Sequence, residues 1–279
     1  MKKILLATTV LAMSAGFAAA EVKVSGSASM GVARDAGGDA AIYNSGELDF
    51  GATVVSDAGV EFGMSTSVSF GNAYGFADDD GFSANDGTIG APTLTVKGAF
   101  GSLTFSDDGV DNLYSDDTAG DLGYNITAGD LSLGVVLEVN GLTDDDGEDV
   151  AQNIDWSASV GYTVSGVTLS MATDSSTASK ASIGYTMGAI TATVGTDEGT
   201  NTITVAYAAD GISAEVSSSS DSTWSASVGY SANAISVGYS TDDAAAWEAT
   251  ASYDLGAGAK VVAGTNYTQD AYAGVELSF

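Results

Sequence analysis

The chain has 279 residues, with 37 acidic and seven basic side chains and a formal net charge of −30 at pH 7. This charge excludes nucleic acid as a partner, because phosphate binding needs lysine and arginine, and it disfavours attachment to anionic lipid surfaces. Cysteine and histidine are both absent, which excludes disulfides and removes the commonest general base and transition-metal ligand.

The first 20 residues have the features of a secretory signal peptide. Two lysines precede an apolar run at 4–12, and small residues lead to a predicted cleavage between Ala20 and Glu21. A membrane anchor is the alternative, but the run is well short of the ~20 residues that span a bilayer as a helix. We therefore predict a signal peptide at 1–20 and one mature domain at 21–279.

Period-two alternation dominates the mature domain and predicts an all-β fold. Between Val60 and Phe70 the apolar side chains share one face, whereas glutamate, glycine and serine share the other. The segments 131–139 and 271–279 alternate in the same way. No later segment reaches ~18 consecutive apolar residues, so no transmembrane helix is expected. A soluble secreted sheet and a closed membrane barrel are the two remaining architectures.

The alternating segments predict 18 antiparallel strands, or 16 if one hairpin is misread. Their approximate bounds are 21–33, 43–56, 59–70, 91–99, 101–106, 121–128, 130–139, 152–163, 166–173, 179–187, 189–196, 201–208, 211–218, 222–231, 234–240, 245–255, 258–267 and 270–279. An even number of strands returns both termini to the same end of a barrel.

The connections between these strands alternate in kind. One set is short and rich in glycine or alanine, as at Ser165-Gly166 and Asp210-Gly211. The other set is often longer and acidic, as at Asp144-Asp145-Asp146. Short periplasmic turns and longer outer loops are typical of an up-and-down transmembrane β-barrel, and this asymmetry favours the barrel over the soluble sheet.

Aromatic side chains recur near the strand ends and predict two girdles at the lipid–water interfaces. The motif WSASVGY occurs twice, and WEATASY is a close variant. Good strand-forming propensity would explain the presence of these aromatics but not their alignment. The predicted girdle residues are Tyr124, Tyr162, Tyr185, Tyr207, Tyr230, Tyr253 and Phe279 at one end and Trp156, Trp224 and Trp247 at the other.

Charged residues within the strands fall on the polar face, which would line the lumen. A lysine or arginine facing lipid at the midplane would cost ~2–4 kcal/mol, so a barrel requires this separation. The predicted pore-lining residues are Lys23, Glu47, Asp49, Glu61, Lys97, Glu138, Asp155, Lys180, Glu215, Glu248, Asp254, Lys260 and Glu276. Nine acids against four lysines predict a cation-preferring pore. For any single acid, solubility or bracing of the wall is an alternative role.

Sequence motifs for catalysis are absent, and we predict that the protein is not an enzyme. There is no phosphate-binding glycine loop and no nucleophile elbow, and paired carboxylates are too common in so acidic a chain to single one out. No cofactor and no specific metal site are expected. The aspartate clusters do not fit the spacing of an EF-hand, although the acidic loops could bind Ca²⁺ loosely.

The final strand ends on Phe279, with Leu277, Val275 and Ala273 on the same face. A terminal strand of this form resembles the signal by which the barrel-insertion machinery recognises outer-membrane proteins. A soluble core strand that ends on phenylalanine is the alternative.

Several stretches of the chain resemble the general porins of alphaproteobacteria. They are MKKILLATT at the start, AAAEVKVSGSASMGV, GVEFGMS, GAFGSLTFSD, ASYDLGAGAKVVAG and GVELSF at the end. The resemblance implies a water-filled barrel in the bacterial outer membrane, commonly a homotrimer, with one loop folded inward to narrow the pore. The segment 107–120 has the position of that loop, although the clustered arginines usual in the family are missing. The constriction candidates are Asp107, Asp108, Asp111, Asp116 and Asp117.

The leading functional hypothesis is an outer-membrane porin for passive diffusion of small hydrophilic solutes and ions, with a preference for cations. Its expected partners are outer-membrane lipid, further copies of the chain and the insertion machinery. The alternatives are a solute-selective channel of the same architecture, a barrel with a structural role, and a secreted β-rich surface protein.

Overall fold

The computed structural model describes residues 21–74, 82–115, 118–139 and 154–279. The predicted signal peptide at 1–20 lies outside the described residues, and β1 begins at Glu21. Within the described ranges no helix is long and apolar enough to cross a bilayer.

Within the described residues, nineteen strand segments form one antiparallel sheet. Their bounds are β1 Glu21–Arg34, β2 Ala41–Val55, β3 Glu61–Tyr74, β4 Phe82–Ile89, β5 Thr93–Gly98, β6 Gly101–Asp111, β7 Ala119–Ala128, β8 Leu131–Val139, β9 Ile154–Val164, β10 Val167–Asp174, β11 Ser179–Met187, β12 Ile190–Asp197, β13 Thr200–Ala209, β14 Ile212–Ser219, β15 Trp224–Ala232, β16 Ile235–Asp242, β17 Trp247–Gly256, β18 Ala259–Asn266 and β19 Ala271–Ser278.

Two of these segments share one place in the wall. β4 pairs with the part of β3 from Val68 to Tyr74, and β5 pairs with the part from Glu61 to Ser65. The nineteen segments therefore fill 18 places, which confirms the predicted count of 18. The sequence prediction of one strand at 91–99 missed β4. Pro92 lies between β4 and β5, where its missing N–H explains the interruption of the strand.

The first and last strands close the sheet into a barrel. β1 pairs with β19 from Ser27–Ser278 to Arg34–Ala271. Below this ladder Gly26 N donates to Phe279 O at 2.9 Å, and Phe279 N donates to Gly26 O at 3.0 Å. Closure pairs the edges that an open sheet would leave exposed, which is the condition for a sheet that spans lipid.

The short turns have the geometry that their sequences predict. Ser165 and Gly166 have φ values of 51° and 83°, and Asp210 and Gly211 have 52° and 78°. Two positive φ values in succession define the type I′ turn, whose twist matches that of the flanking strands. The four-residue loops at the other end each place a non-glycine residue in the left-handed region, namely Thr177, Ser222, Ala245 and Gln269.

Apolar side chains cover the outside of the barrel instead of filling a core. Met171 is 60% exposed, Ile203 58% and Val216 55%, and few hydrophobic residues of the described ranges are buried. Such a surface would aggregate in water, whereas lipid stabilises it. The fold is thus the predicted transmembrane antiparallel β-barrel.

Tyr43 is a buried exception on the inner face of the closing seam, with 3% exposure. It lies in register with Gly31 of β1, which is in turn paired with Gly274 of β19. A Cβ on either glycine would collide with the Tyr43 hydroxyl. The absence of a side chain at these two positions therefore makes room for the tyrosine ring across the seam.

We expect Gly274→Val to destabilise the barrel, because its side chain would overlap the Tyr43 hydroxyl and the backbone oxygen of Met30. Overpacking of this kind typically costs about 1–3 kcal/mol. The measurement is the temperature at which the folded band converts to the unfolded band on a detergent gel.

Gly51→Val is the matched control, since a Cβ there meets no atom within 4 Å. Equal unfolding temperatures for the two variants would contradict the account of the seam.

Candidate functional site

The segment 112–115, which follows β6, is anchored to three strands of the barrel wall. Leu113 N donates to Ser157 Oγ on β9 at 2.9 Å. Lys180 Nζ on β11 donates to the backbone oxygen of Tyr114 at 2.6 Å. The Tyr114 hydroxyl donates to Asp197 Oδ1, at the end of β12, at 2.8 Å. We call these residues of the loop and wall the latch.

The latch identifies the inner face of the wall. β9, β11 and β12 lie two, four and five places from β7 around the barrel. A loop that joins β6 to β7 can contact all three only from the concave side of a closed sheet, because the convex surface curves away. The face that carries Ser157, Lys180 and Asp197 is therefore the lumen face.

Lys180 makes two contacts with Tyr114 and lies beside Asp197. Its Nζ lies 5.6 Å from the centroid of the Tyr114 ring, within range of a cation–π interaction. Asp197 is its direct partner in the ladder between β11 and β12. The hydrogen bond to Asp197 raises the pKa of the Tyr114 hydroxyl to about 12, so the phenol keeps its proton at neutral pH and can donate it in this bond.

The base of the loop packs closely on the wall. Ser157 is fully buried, with 0% exposure, and Val136 on the inner face of β8 is 3% exposed. Leu113 Cδ1 lies 3.0 Å from the position that a Cβ on Gly134 would occupy. A side chain at Gly134 would therefore push the leucine away from the wall.

A cavity of about 520 Å³ lies against the wall next to the latch. Hydroxyl groups of β8, β10 and β11 contribute to its lining. Leu113, Lys180 and Asp197 of the latch line it, and the neighbouring hydroxyls are those of Ser132, Ser170 and Ser182.

The predicted constriction residues lie partly in a strand. Asp107, Asp108 and Asp111 belong to β6, which extends five residues beyond the predicted end at 106. Asp116 and Asp117 lie outside the described residues. The sequence analysis did not single out Leu113, Tyr114, Ser157 or Asp197. The available signal was an apolar pair, Leu113-Tyr114, in an otherwise polar segment.

Three of the predicted pore-lining lysines form ion pairs with glutamates. Lys23 Nζ lies 3.2 Å from Glu21, Lys97 Nζ 3.7 Å from Glu61, and Lys260 Nζ 2.7 Å from Glu276. Asp254 is also opposite Lys260 in the ladder between β17 and β18. All these side chains are substantially exposed, so each pair contributes little to stability. Each lysine does, however, offset the charge of one glutamate.

The other predicted acids of the wall have no lysine directly opposite. Glu47 faces Ser27 and Ser69 in its two ladders, and Asp49 faces Ser25 and Ser67. Glu215 pairs with Ala206 and Ser227, and Glu248 with Ser240 and Asn266. Glu138 lies opposite Asp155, which places two carboxylates side by side near the end of the pore that carries the loops.

The acids of β2 lie across the lumen from the latch. β2 and β12 are nine places apart among the 18 places of the wall, which makes them diametrically opposed. Glu47 and Asp49 therefore occupy the wall that faces Asp197. The only arginine of the chain, Arg34, ends β1 and donates to Gln269 O at 3.2 Å.

Five tyrosines of the predicted girdle lie at a common height. Each is paired with the first residue of a neighbouring strand, directly above a short turn. The pairs are Tyr162–Leu131, Tyr185–Val167, Tyr207–Ile190, Tyr230–Ile212 and Tyr253–Ile235. Tyr124 instead donates from its hydroxyl to Phe100 O at 2.5 Å, and Phe279 follows the last residue of β19.

The tryptophans lie towards the opposite ends of their strands. Trp224 and Trp247 are the first residues of β15 and β17, and Trp156 is the third residue of β9. Trp247 stacks on Tyr239 with ring centroids 6.4 Å apart. The two rows of aromatics are thus separated along the barrel axis, as the girdle hypothesis requires.

A metal site does not emerge from the described ranges. They contain no group of three or more acidic side chains placed to hold a metal ion.

Comparison with known proteins gives one family. The sequence model described as "Gram-negative porin" matches residues 7–277. Two solved mutants of the Rhodopseudomonas blastica porin each have a TM-score of 0.55, at 15% and 16% sequence identity. Both similarities cover 92% of this chain and 100% of the other. A third structure, described by its title "Asymmetric conductivity of engineered proteins", has a TM-score of 0.53 at 18% identity over 93% of this chain. No curated protein matches the chain.

The position of the loop predicts a specific cross-link. The chain has no native cysteine, so the double variant Leu113→Cys with Ser159→Cys, at the β9 residue paired with Gly134, would hold the only two thiols. We expect dibromobimane, a short reagent that fluoresces after it has joined two thiols, to label the folded barrel. Leu113→Cys with Gly51→Cys is the control, because Gly51 lies on β2 across the lumen.

The expected result is fluorescence from the first pair alone. Equal labelling of both pairs, or labelling of neither in folded protein, would contradict the inward position of the loop.

Proposed function

Because the chain belongs to the Gram-negative porin family, it forms a channel in the bacterial outer membrane, and we propose that this channel is water-filled and prefers cations. Small hydrophilic solutes would cross it by passive diffusion. The observation that carries the proposal is the imbalance of charge on the lumen face of the strands.

The predicted wall charges support a negative pore. Four lysines stand against nine acids, and three of those lysines are already paired with glutamates at 2.7–3.7 Å. The fourth, Lys180, belongs to the latch and donates to the backbone oxygen of Tyr114. The acids without a lysine opposite would therefore set the sign of the potential in the lumen, and charged groups in a narrow pore select ions by sign.

The latch supports a narrowing at the level of the loop. By crossing to β11 and β12, the loop would force ions towards the opposite wall, where Glu47 and Asp49 lie. Screening lengths are about 8 Å at 0.15 M ionic strength, so carboxylates influence an ion only when the path runs close to them. A loop that leads ions to an acidic wall would strengthen the preference for cations.

The proposed constriction would differ from the usual porin arrangement, in which clustered arginines face acidic side chains across the pore. Here acids would face the latch from β2, and the only fixed positive charge that the latch contains is Lys180. A pore of this kind would draw cations without a strong transverse field. A solute-selective channel is the second candidate, and the cavity beside the latch is the observation that favours it.

The assembly and the remaining partners are also proposals. The family resemblance supports a homotrimer, and we propose that β19, with Val275 and Leu277 on its apolar face, is recognised by the barrel-insertion machinery. We further propose that the acidic loops bind Ca²⁺ and other cations loosely, that the protein has no resident cofactor, and that it has no catalytic activity.

A planar-bilayer measurement tests the proposed selectivity. With purified protein in a KCl gradient, we expect a reversal potential whose sign shows that K⁺ is more permeant than Cl⁻. The double variant Glu47→Gln with Asp49→Asn should reduce the permeability ratio. The reduction should be larger at 0.1 M than at 1 M KCl, because the screening length falls from about 10 Å to about 3 Å.

Asp57→Asn with Asp210→Asn is the matched control, since it removes two carboxylates from the short turns and not from the lumen wall. A chloride-selective wild-type protein would overturn the proposal. If the two double variants changed the permeability ratio equally, Glu47 and Asp49 of β2 would have no special role in the selectivity.

A further inference from the structure

Three tyrosine rings form a cluster on the lumen side of the closing seam. The centroid of Tyr74 lies 5.9 Å from that of Tyr43 and 5.9 Å from that of Tyr272. The rings are tilted by 31° and 55° from one another. We call Tyr43, Tyr74 and Tyr272 the tyrosine cluster.

The backbone explains why the three rings meet. The Tyr43 hydroxyl lies next to Gly31 and Gly274, whose missing side chains leave room for it across the seam. Tyr272 precedes Gly274 by two residues and therefore shares its face of β19. Tyr74 ends β3 three residues after Gly71, whose φ of 88° is left-handed, and its ring reaches both other rings from that strand end.

Acidic side chains flank the cluster along the pore. On β19, Glu276 lies two residues beyond Gly274 on the lumen face. On β2, Glu47 lies four residues from Tyr43 on the same face. At the mouth of the pore, Asp270 accepts a hydrogen bond from Ala36 N at 2.5 Å and so joins the loops on either side of the seam. Glu276 is paired with Lys260 at 2.7 Å, and Asp270 is hydrogen-bonded to Asn266 and Thr268. Glu47, which has serines opposite it in both ladders, is therefore the acid that would attract a cation along this wall.

The rings differ in what they can offer to a solute. Tyr43 is buried and serves as the base of the cluster, whereas Tyr74 and Tyr272 are partly exposed. The Tyr74 hydroxyl is directed to the backbone oxygen of Arg34 at 3.4 Å. Two partly exposed, tilted aromatic rings on the same wall as the Glu47 carboxylate offer the chemistry that binds organic cations, through cation–π attraction and charge.

We propose that the tyrosine cluster is a binding site for organic cations, such as amines and quaternary ammonium ions, on their way through the pore. The cluster spans β19 to β3, which lie across the lumen from the latch strands β10 to β13. A solute that the latch displaces from its own side of the lumen would pass the rings. Organic cations would then be the preferred solutes of the channel. This inference rests on the proposed function as a cation-preferring channel.

Block of the potassium current by tetraethylammonium tests the site. We expect the wild-type channel to show a concentration-dependent decrease of K⁺ current, and Tyr272→Leu to weaken the apparent affinity about threefold to tenfold, as expected for loss of one cation–π contact. Tyr74→Leu should act in the same direction. Tyr185→Leu is the matched control, because Tyr185 is on the apolar outer face and 51% exposed.

The readouts separate this inference from the proposed function. Correct folding of each variant is established by the heat-dependent shift of its band on a detergent gel. If the channel is K⁺-selective but tetraethylammonium blocks Tyr272→Leu and Tyr74→Leu as strongly as wild type, the proposed site is wrong and the cation preference stands. If the wild type is chloride-selective yet block depends on the two tyrosines, the site stands and the proposed function falls. Absence of any block in the folded wild-type channel would overturn the site.

Discussion

The continuous ladder of backbone hydrogen bonds around the wall is the constraint on which the structure depends. In lipid an unpaired backbone group costs several kcal/mol, so the sheet must close. β1 and β19 close it with a ladder from Ser27 to Arg34 and two further bonds between Gly26 and Phe279. In the closed wall, successive side chains of every strand point alternately to the outside and to the inside of the barrel. This alternation sends apolar side chains to lipid, and the same rule sends serine, threonine and the charged residues to the lumen.

A closed wall also lets a short loop contact several strands from the inside. The chain between β6 and β7 enters the lumen and binds β9, β11 and β12 through Leu113 and Tyr114. On the far side, the strands from β19 to β3 carry Glu47 and the tyrosine cluster. The two halves of the lumen thus differ in chemistry, one with a lysine held by a backbone oxygen and one with exposed carboxylates and aromatic rings.

Local sequence patterns predicted most of the strands. They could not predict contacts between residues that are far apart in the sequence. The alternation at 131–139 corresponds to β8, because each strand in lipid must satisfy the pattern by itself. β4 was missed since its sequence, FSANDGTI, contains a turn-like Asn-Asp-Gly. β6 was ended too early because its aspartates suggested a loop. The latch joins Tyr114 to residues 66 and 83 positions away, and a single apolar pair does not indicate such partners.

The central claim is that strand parity assigns the charges to water and the apolar residues to lipid. Single cysteines on β14 test it most directly, since the native chain has none. For protein in liposomes, we expect a charged, water-soluble thiol reagent to modify Glu215→Cys and Ser217→Cys and to reduce their current. Ala214→Cys and Val216→Cys should remain unmodified. Modification of the second pair and not the first, or of all four alike, would contradict the account.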